Sequence, residues 1–184
     1  MTDAAPDASQ RLAMPAVLVQ QGFALRSETA ADVPFLRRLY ISTRWEERAA
    51  VANWTDEQKI AFLESQFVAQ RRHYLAYFAN AAFDVLEEDG IPAGRLYLDR
   101  QDKRLLIVDL ALLPDWRNRG IGTALIEAVF AEARLCGKEV SISVEKFNPA
   151  QRLYERLGFR KYAEDNVYWF MYWQPEPKPA AEIG

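Results

Sequence analysis

Four residues in "PDWRNRGIGTALIEAVF" (114–130) have types and spacing that could do chemistry. Arg117 and Arg119 stand against Gly120 and Gly122, just where an apolar helix begins. A helix start leaves backbone N–H groups without intrahelical acceptors and carries the positive end of the macrodipole. Glycines let a ligand approach that backbone, and arginines add charge around it. The stretch therefore describes a seat for a phosphate or pyrophosphate. It is not the dinucleotide pattern Gly-x-Gly-x-x-Gly, because Ala124 and Leu125 follow Gly122. No Gly-Lys-Ser/Thr closes the loop as in a Walker motif. A second candidate lies just upstream. Asp109 is the charge inside "LLIVDLALL" (105–113), where burying a carboxylate is costly without a partner or a task. Either it hydrogen-bonds a neighbouring strand or loop, or burial raises its pKa and suits it to accept a proton near neutral pH. Glu145, at the end of the next apolar strand, is the other candidate base.

The elements that must position these groups are readable from periodicity. "GFALRS" (22–27) alternates as a short strand, and "AADVPFLRRLYISTRW" (30–45) follows as a helix with Asp32 expected at its N-cap. "TDEQKIAFLESQFVAQRRHY" (55–74) is a second helix. Its Thr55 and Gln58 have capping-box spacing, and Ile60, Leu63, Phe67 and Tyr74 are expected on one face. "AAFDVLEE" and "AGRLYLDR" flank "DGIP" as a hairpin, and "LLIVDLALL" reads as a strand buried on both faces. The helix from about Gly122 to Cys136 buries Leu125, Ile126, Val129, Phe130 and Ala133, with Cys136 expected on the same apolar face. It connects to "EVSISV" (139–144), which should run parallel to 105–113. "NPAQRLYERLGF" (148–159) is a short helix capped at Asn148, and "VYWFMYW" (167–173) closes the sheet. The order β-α-α-β-β-β-α-β-α-β-β predicts a mixed α/β sheet covered by helices.

Length and composition bound the rest. At 184 residues, half of them apolar, the chain suits one globular domain. Residues 1–20 read as a loosely held arm, 21–174 as the domain, and 175–184 as a disordered proline-rich tail. A net charge of −3 argues against a nucleic-acid partner, and the pairs Arg37-Arg38 and Arg71-Arg72 read as solvated helix faces. With Cys136 and His73 alone of their types, there is no internal disulfide, thiolate zinc cluster or histidine-rich metal site. No signal peptide or membrane-length apolar run is present, so a cytoplasmic protein without a membrane partner is expected.

The combination of "LALLPDWRNRGIGTALI" with "VEKFNPAQRLYERLGF" resembles the GCN5-related N-acetyltransferase (GNAT) superfamily, from about residue 23 to 173 and most sharply between 107 and 160. The resemblance implies the acyl-CoA N-acyltransferase fold: a central, mostly antiparallel sheet with one splayed parallel strand pair and helices on both faces. It implies acetyl-CoA as cosubstrate and no metal. The loop Arg117, Asn118, Arg119, Gly120, Ile121, Gly122 and Thr123 would wrap the pyrophosphate with its backbone amides. The strand end Leu110, Ala111 and Leu112 would pair with the pantetheine arm. Asn148, and with it Ala150, would stand beside that arm. Tyr154 matches a tyrosine near the thioester sulfur, where its hydroxyl would protonate the departing thiolate; packing beside the Leu153/Leu157 face is the other reading.

The acceptor would enter over the two N-terminal helices. Trp45, Glu46, Trp54, His73 and Tyr77, with Tyr40, Glu47 and Tyr74, are the candidates there. Aromatics with carboxylates suit a cationic amine, although aromatics at helical spacing also build cores. The function implied is acetyl transfer to a primary amine of a small molecule or peptide, with a homodimer as the assembly to test. The alternative is a fold that binds acyl-CoA as a sensor or interaction module without catalysis.

Overall fold

The structure, a computed structural model, describes residues 11–49 and 54–176, without the side chains of 46–49. The elements are α1 (Ala16–Gln20), β1 (Phe23–Ser27), α2 (Val33–Ala49), α3 (Asp56–Tyr77), β2 (Ala82–Glu88), β3 (Ile91–Arg100), β4 (Arg104–Leu112), α4 (Ile121–Cys136), β5 (Glu139–Glu145), α5 (Gln151–Arg156), β6 (Arg160–Glu164) and β7 (Tyr168–Trp173). The strands form one sheet in the order β1-β2-β3-β4-β5-β7-β6. Every neighbouring pair is antiparallel except β4 and β5, whose crossover through α4 makes them parallel.

The period-2 alternation of the strands divides the core between two faces. Leu105, Ile107, Val140 and Ile142 pack with Leu125, Ile126, Val129 and Phe130 of α4. Leu36 and Tyr40 of α2 form a second cluster with Leu63 and Phe67 of α3 on the opposite face. The β2–β3 turn places Asp89 and Gly90 both at positive φ, 50° and 79°, as a tight two-residue hairpin requires.

Several expectations are corrected. Residues 11–20 are held rather than loose: Leu12 and Leu18 retain only 4% and 2% exposure in the main core, and Arg11 donates to Asp84 and Ser27. The apolar pattern misleads here: α1 is apolar at Ala16, Val17, Leu18 and Val19, yet only Leu18 is buried while Val17 and Val19 face solvent. Thr29, not Asp32, caps the turn before α2. Asp32 completes the capping box from inside and is ion-paired with Arg26 at 2.7 Å, which holds its carboxyl well below the usual range. Thr55 and Gln58 do form the box at α3, but Ile60 is exposed, since α2 covers only the stripe at Leu63 and Phe67. Cys136 is exposed, because burial along α4 ends at Ala133. β7 does not close the sheet: it lies between β5 and β6, and β6 is the edge. β4 is buried at Leu105 and Ile107 but only half-buried from Val108 onward.

Leu18→Ala should lower the unfolding free energy by about 2–5 kcal/mol, the range for truncating a buried leucine. Urea denaturation followed by circular dichroism checks this; an unchanged midpoint would mean that α1 adds nothing to the core.

Candidate active site

β4 and β5 are paired from Arg104–Glu139 to Ile107–Ile142 and no further, although β4 runs on to Leu112 and β5 to Glu145. Each strand keeps its other neighbour: β4 stays paired with β3 up to Leu112–Gly94, and β5 with β7 up to Glu145–Tyr168. Two strands that diverge while remaining anchored on their outer edges leave inner backbone groups without a ladder partner. A slot therefore opens in mid-sheet.

A bulge sits at the same point. Tyr97 is opposite Asp109 and Leu98 is opposite Ile107, so Val108 is an extra residue in β4. Without it, Asp109 would share the α4-facing side of Leu105 and Ile107. With it, Asp109 turns to α3 and accepts hydrogen bonds from Tyr74 Oη at 3.1 Å and from Arg95 Nη2. Arg95 is 4% exposed, lies 5.0 Å from the Tyr97 ring centroid, and donates also to Gln70; its Nε has no acceptor. Tyr97 in turn donates to Glu28, which also accepts from Arg71, so Arg71 is ion-paired rather than merely solvated. Burial raises the phenols of Tyr74 and Tyr97 well above 10, and both remain donors. Asp109 thus has the hydrogen-bonded partners that one of its two sequence readings required.

At the end of β4 the loop enters α4 without a side-chain cap, through Gly120 at φ 80°. The first bond back into the loop is Ala124 N–H to the Gly120 carbonyl at 3.0 Å, so the amides of Ile121, Gly122 and Thr123 precede it. A Cβ on Gly120 would meet no protein atom within 4 Å, and one on Gly122 only Leu153 Cδ2 at 3.7 Å. The positive φ of Gly120 requires glycine there by itself; at Gly122 packing does not, whereas a group seated on the bare amides would. The arginines differ from expectation. Arg117 donates to the Leu112 carbonyl at 2.9 Å and to Ser42 at 3.2 Å, bracing β4 against α2. Arg119 pairs with Glu88 at 2.6 Å. The residues that fit an anion are backbone amides rather than guanidiniums.

On this α4 side, Asn148 does not cap α5, whose N-cap is Ala150 without a side-chain cap; its Oδ1 accepts from Ala150 N–H at 2.9 Å in the turn before the helix. Tyr154 follows on α5, 5% exposed and edge-on to Phe159. Burial first, and the charge of Asp109 second, raise its phenol well above 10; no neighbouring cation lowers it, since Arg117 is turned to Ser42 and Lys146 to Glu164.

On the opposite side of the splay lies a cavity of about 620 Å³ between α2, α3 and the open ends of β4, β5 and β7. Tyr40, His73 and Tyr74 line it, and Glu145 reaches it from β5, ion-paired with Arg44. Trp45 packs into the α2–α3 cluster instead, and Trp54 stacks edge-on to Phe62. Tyr77 is 74% exposed and rests on His73 outside the cavity, and the side chains of Glu46 and Glu47 lie outside the described residues. The sequence reading missed Arg44, Gln66, Gln70, Ser143, Tyr168 and Phe170. The period-2 rule separates the last two from Trp169, Met171 and Trp173, which face the main core.

The model of the "Acetyltransferase (GNAT) family" matches residues 39–159. The chain is 24% identical over 161 residues to the uncharacterized N-acetyltransferase CgeE of Bacillus subtilis, covering 79% of this chain but only 62% of that relative. The fold resembles the PaiA N-acetyltransferase from Thermoplasma acidophilum in complex with coenzyme A (TM-score 0.62, 16% identity, 83% of this chain and 99% of that one). It also resembles Arabidopsis thaliana Naa50 in complex with the bisubstrate analogue CoA-Ac-MVNAL (TM-score 0.53, 15% identity, 83% and 99% covered).

Arg95→Met should cost about 3–5 kcal/mol of stability, because it strands the Asp109 carboxylate. Arg95→Met combined with Asp109→Leu should cost less than Arg95→Met alone. Urea midpoints of the two variants decide; equal losses would show that the pair is not coupled.

Proposed function

Because the chain belongs to the acetyltransferase (GNAT) family, we propose that it is an acetyl-CoA-dependent N-acetyltransferase acting on a primary amine of a small molecule or peptide. One observation carries the reading: a single splay connects uncapped helix amides on one face of the sheet to a roomy cavity on the other. That is the arrangement a two-substrate transfer needs, with donor and acceptor reaching one gap from opposite sides.

Acetyl-CoA would supply an activated acyl carbon. The amides of Ile121, Gly122 and Thr123 would hold its pyrophosphate, supported by the dipole of α4. The inner edge of Leu110, Ala111 and Leu112, outside the β4–β5 ladder although Arg117 holds the Leu112 carbonyl, would take the amide groups of the pantetheine arm as an added strand, with Asn148 and Ala150 at the far wall. Backbone N–H groups at the splay would stabilise charge that develops on the acyl oxygen. Tyr154, kept protonated by burial, would give its proton to the leaving sulfur. Among the described lining residues Glu145 is the carboxylate, so it would receive the proton that the acceptor amine must shed. Asp109, held by Arg95 and Tyr74, acts as a positioning residue for the bulge.

Release of free CoA thiol with members of an amine and peptide panel tests the reading; acetyl-CoA binding without release under any acceptor would leave a binding module. Gly122→Val should weaken acetyl-CoA by about 1.5–3 kcal/mol, the range for hydrogen bonds to charged groups, while the melting temperature holds. Calorimetry checks it. Tyr154→Phe should leave that affinity near parental and lower turnover by ~10²-fold or more. Because its folded pKa lies above 10, Tyr154 keeps its proton as pH rises, so no basic limb below pH 10 should belong to it. A parental limb near pH 8–9 that vanishes in Tyr154→Phe would contradict this assignment.

A further inference from the structure

Arg44 of α2 and Glu145 of β5 form an ion pair on the acceptor side of the splay, with side chains only 22% and 19% exposed. Arg44 also lies 5.6 Å from the Tyr40 ring centroid. Among the described lining residues these two carry the charge; the remainder are Ser143, glutamines, His73, aromatics and aliphatics. The cavity therefore presents one cation and one carboxylate, in direct contact.

This geometry discriminates among amines. An ammonium group without further charge would compete with Arg44 for the same carboxylate, setting two cations on one anion in a poorly solvated place. A molecule that carries both an ammonium and a carboxylate changes the balance. Glu145 takes the ammonium, the Arg44 fork takes the carboxylate, and two ion pairs replace one. The contact between Arg44 and Glu145 also sets the spacing: the two sites are adjacent, as the two charged groups of an α-amino acid are. The wall of Tyr74, Phe78 and Phe170 is apolar and aromatic.

Resting on the acetyltransferase reading above, we propose that the acceptor is a free α-amino acid with an apolar or aromatic side chain, held by Glu145 through its ammonium and by Arg44 through its carboxylate. Glu145 takes one proton from the ammonium and passes it to water. The neutral nitrogen forms the C–N bond to the acyl carbon as the C–S bond breaks. The nitrogen loses its second proton to solvent, and the sulfur gains the Tyr154 proton, which the phenolate recovers from solvent. An ammonium and a thioester thus become an amide, a thiol and one released proton.

Two measurements test this: calorimetric binding to the CoA-loaded protein, and thiol release from acetyl-CoA. The probes are phenylalanine, leucine, phenylalanine amide and phenethylamine. The amino acids should bind, and phenylalanine should exceed phenethylamine in kcat/KM by about 10-fold or more, as one charge-assisted contact allows. Arg44→Gln should lower that ratio by about 10-fold or more, and Arg44→Lys, which keeps the charge without the fork, should fall between. Phenethylamine or the amide binding and reacting as well as phenylalanine overturns the proposal and leaves the acetyltransferase reading standing. Arg44→Gln lowering both substrates in equal proportion also overturns it. Failure to bind acetyl-CoA at all overturns the reading beneath.

Discussion

Parallel pairing between β4 and β5 stops at Ile107 and Ile142, and the site depends on that stop. A sheet interior normally leaves no backbone group idle, because each unpaired N–H or C=O carries a desolvation cost. Here the ladder ends while both strands run on, and side chains cover only the far ends, Arg117 at the Leu112 carbonyl and Gln151 at the Glu145 carbonyl, so the slot keeps polar walls that can bond an extended chain. The crossover geometry adds the second part. α4 must start where β4 ends, so the positive helix terminus arrives at the mouth of the slot without further design.

What keeps the slot open is a set of braces around β4. The Val108 bulge bends the strand and turns Asp109 toward α3, where Arg95 and Tyr74 hold it. Arg117 ties the last carbonyl of β4 to Ser42 of α2. On the outer edge β3 approaches so closely that a Cβ on Gly94 would lie 2.4 Å from the Ala111 carbonyl oxygen, which leaves room for glycine alone. A half-buried carboxylate and a fully buried guanidinium are a poor source of net stability, since desolvation offsets most of their attraction. Their value lies in direction: satisfied in only one arrangement, they keep the bulged strand in register.

The two faces differ in the chemistry they offer. The α4 face presents amides and a buried, protonated Tyr154. The α2–α3 face presents aromatics, glutamines and the Arg44–Glu145 pair. In the proposed mechanism this keeps proton donation and proton acceptance on opposite sides of the gap.

The sequence by itself determined most of the elements, though not α1 or the range of β6, and it marked the glycine-rich helix start. Gly120 and Gly122 before an apolar run, Thr55 with Gln58, and the near-continuous apolar run of residues 105–113 each report a local rule: turn, cap or strand. They act over a few residues, so they survive without tertiary context. Family resemblance carried the splay and the place of Tyr154. The tertiary structure alone decided where the charges end up. Whether Arg117 faces a ligand or Ser42, and whether Asp109 faces α4 or Arg95, depends on one extra residue in a bulge and on partners 14 to 75 positions away. The same holds for Arg44 with Glu145, 101 positions apart. A side chain's partner is set by the packing of distant segments, and no local period encodes that distance.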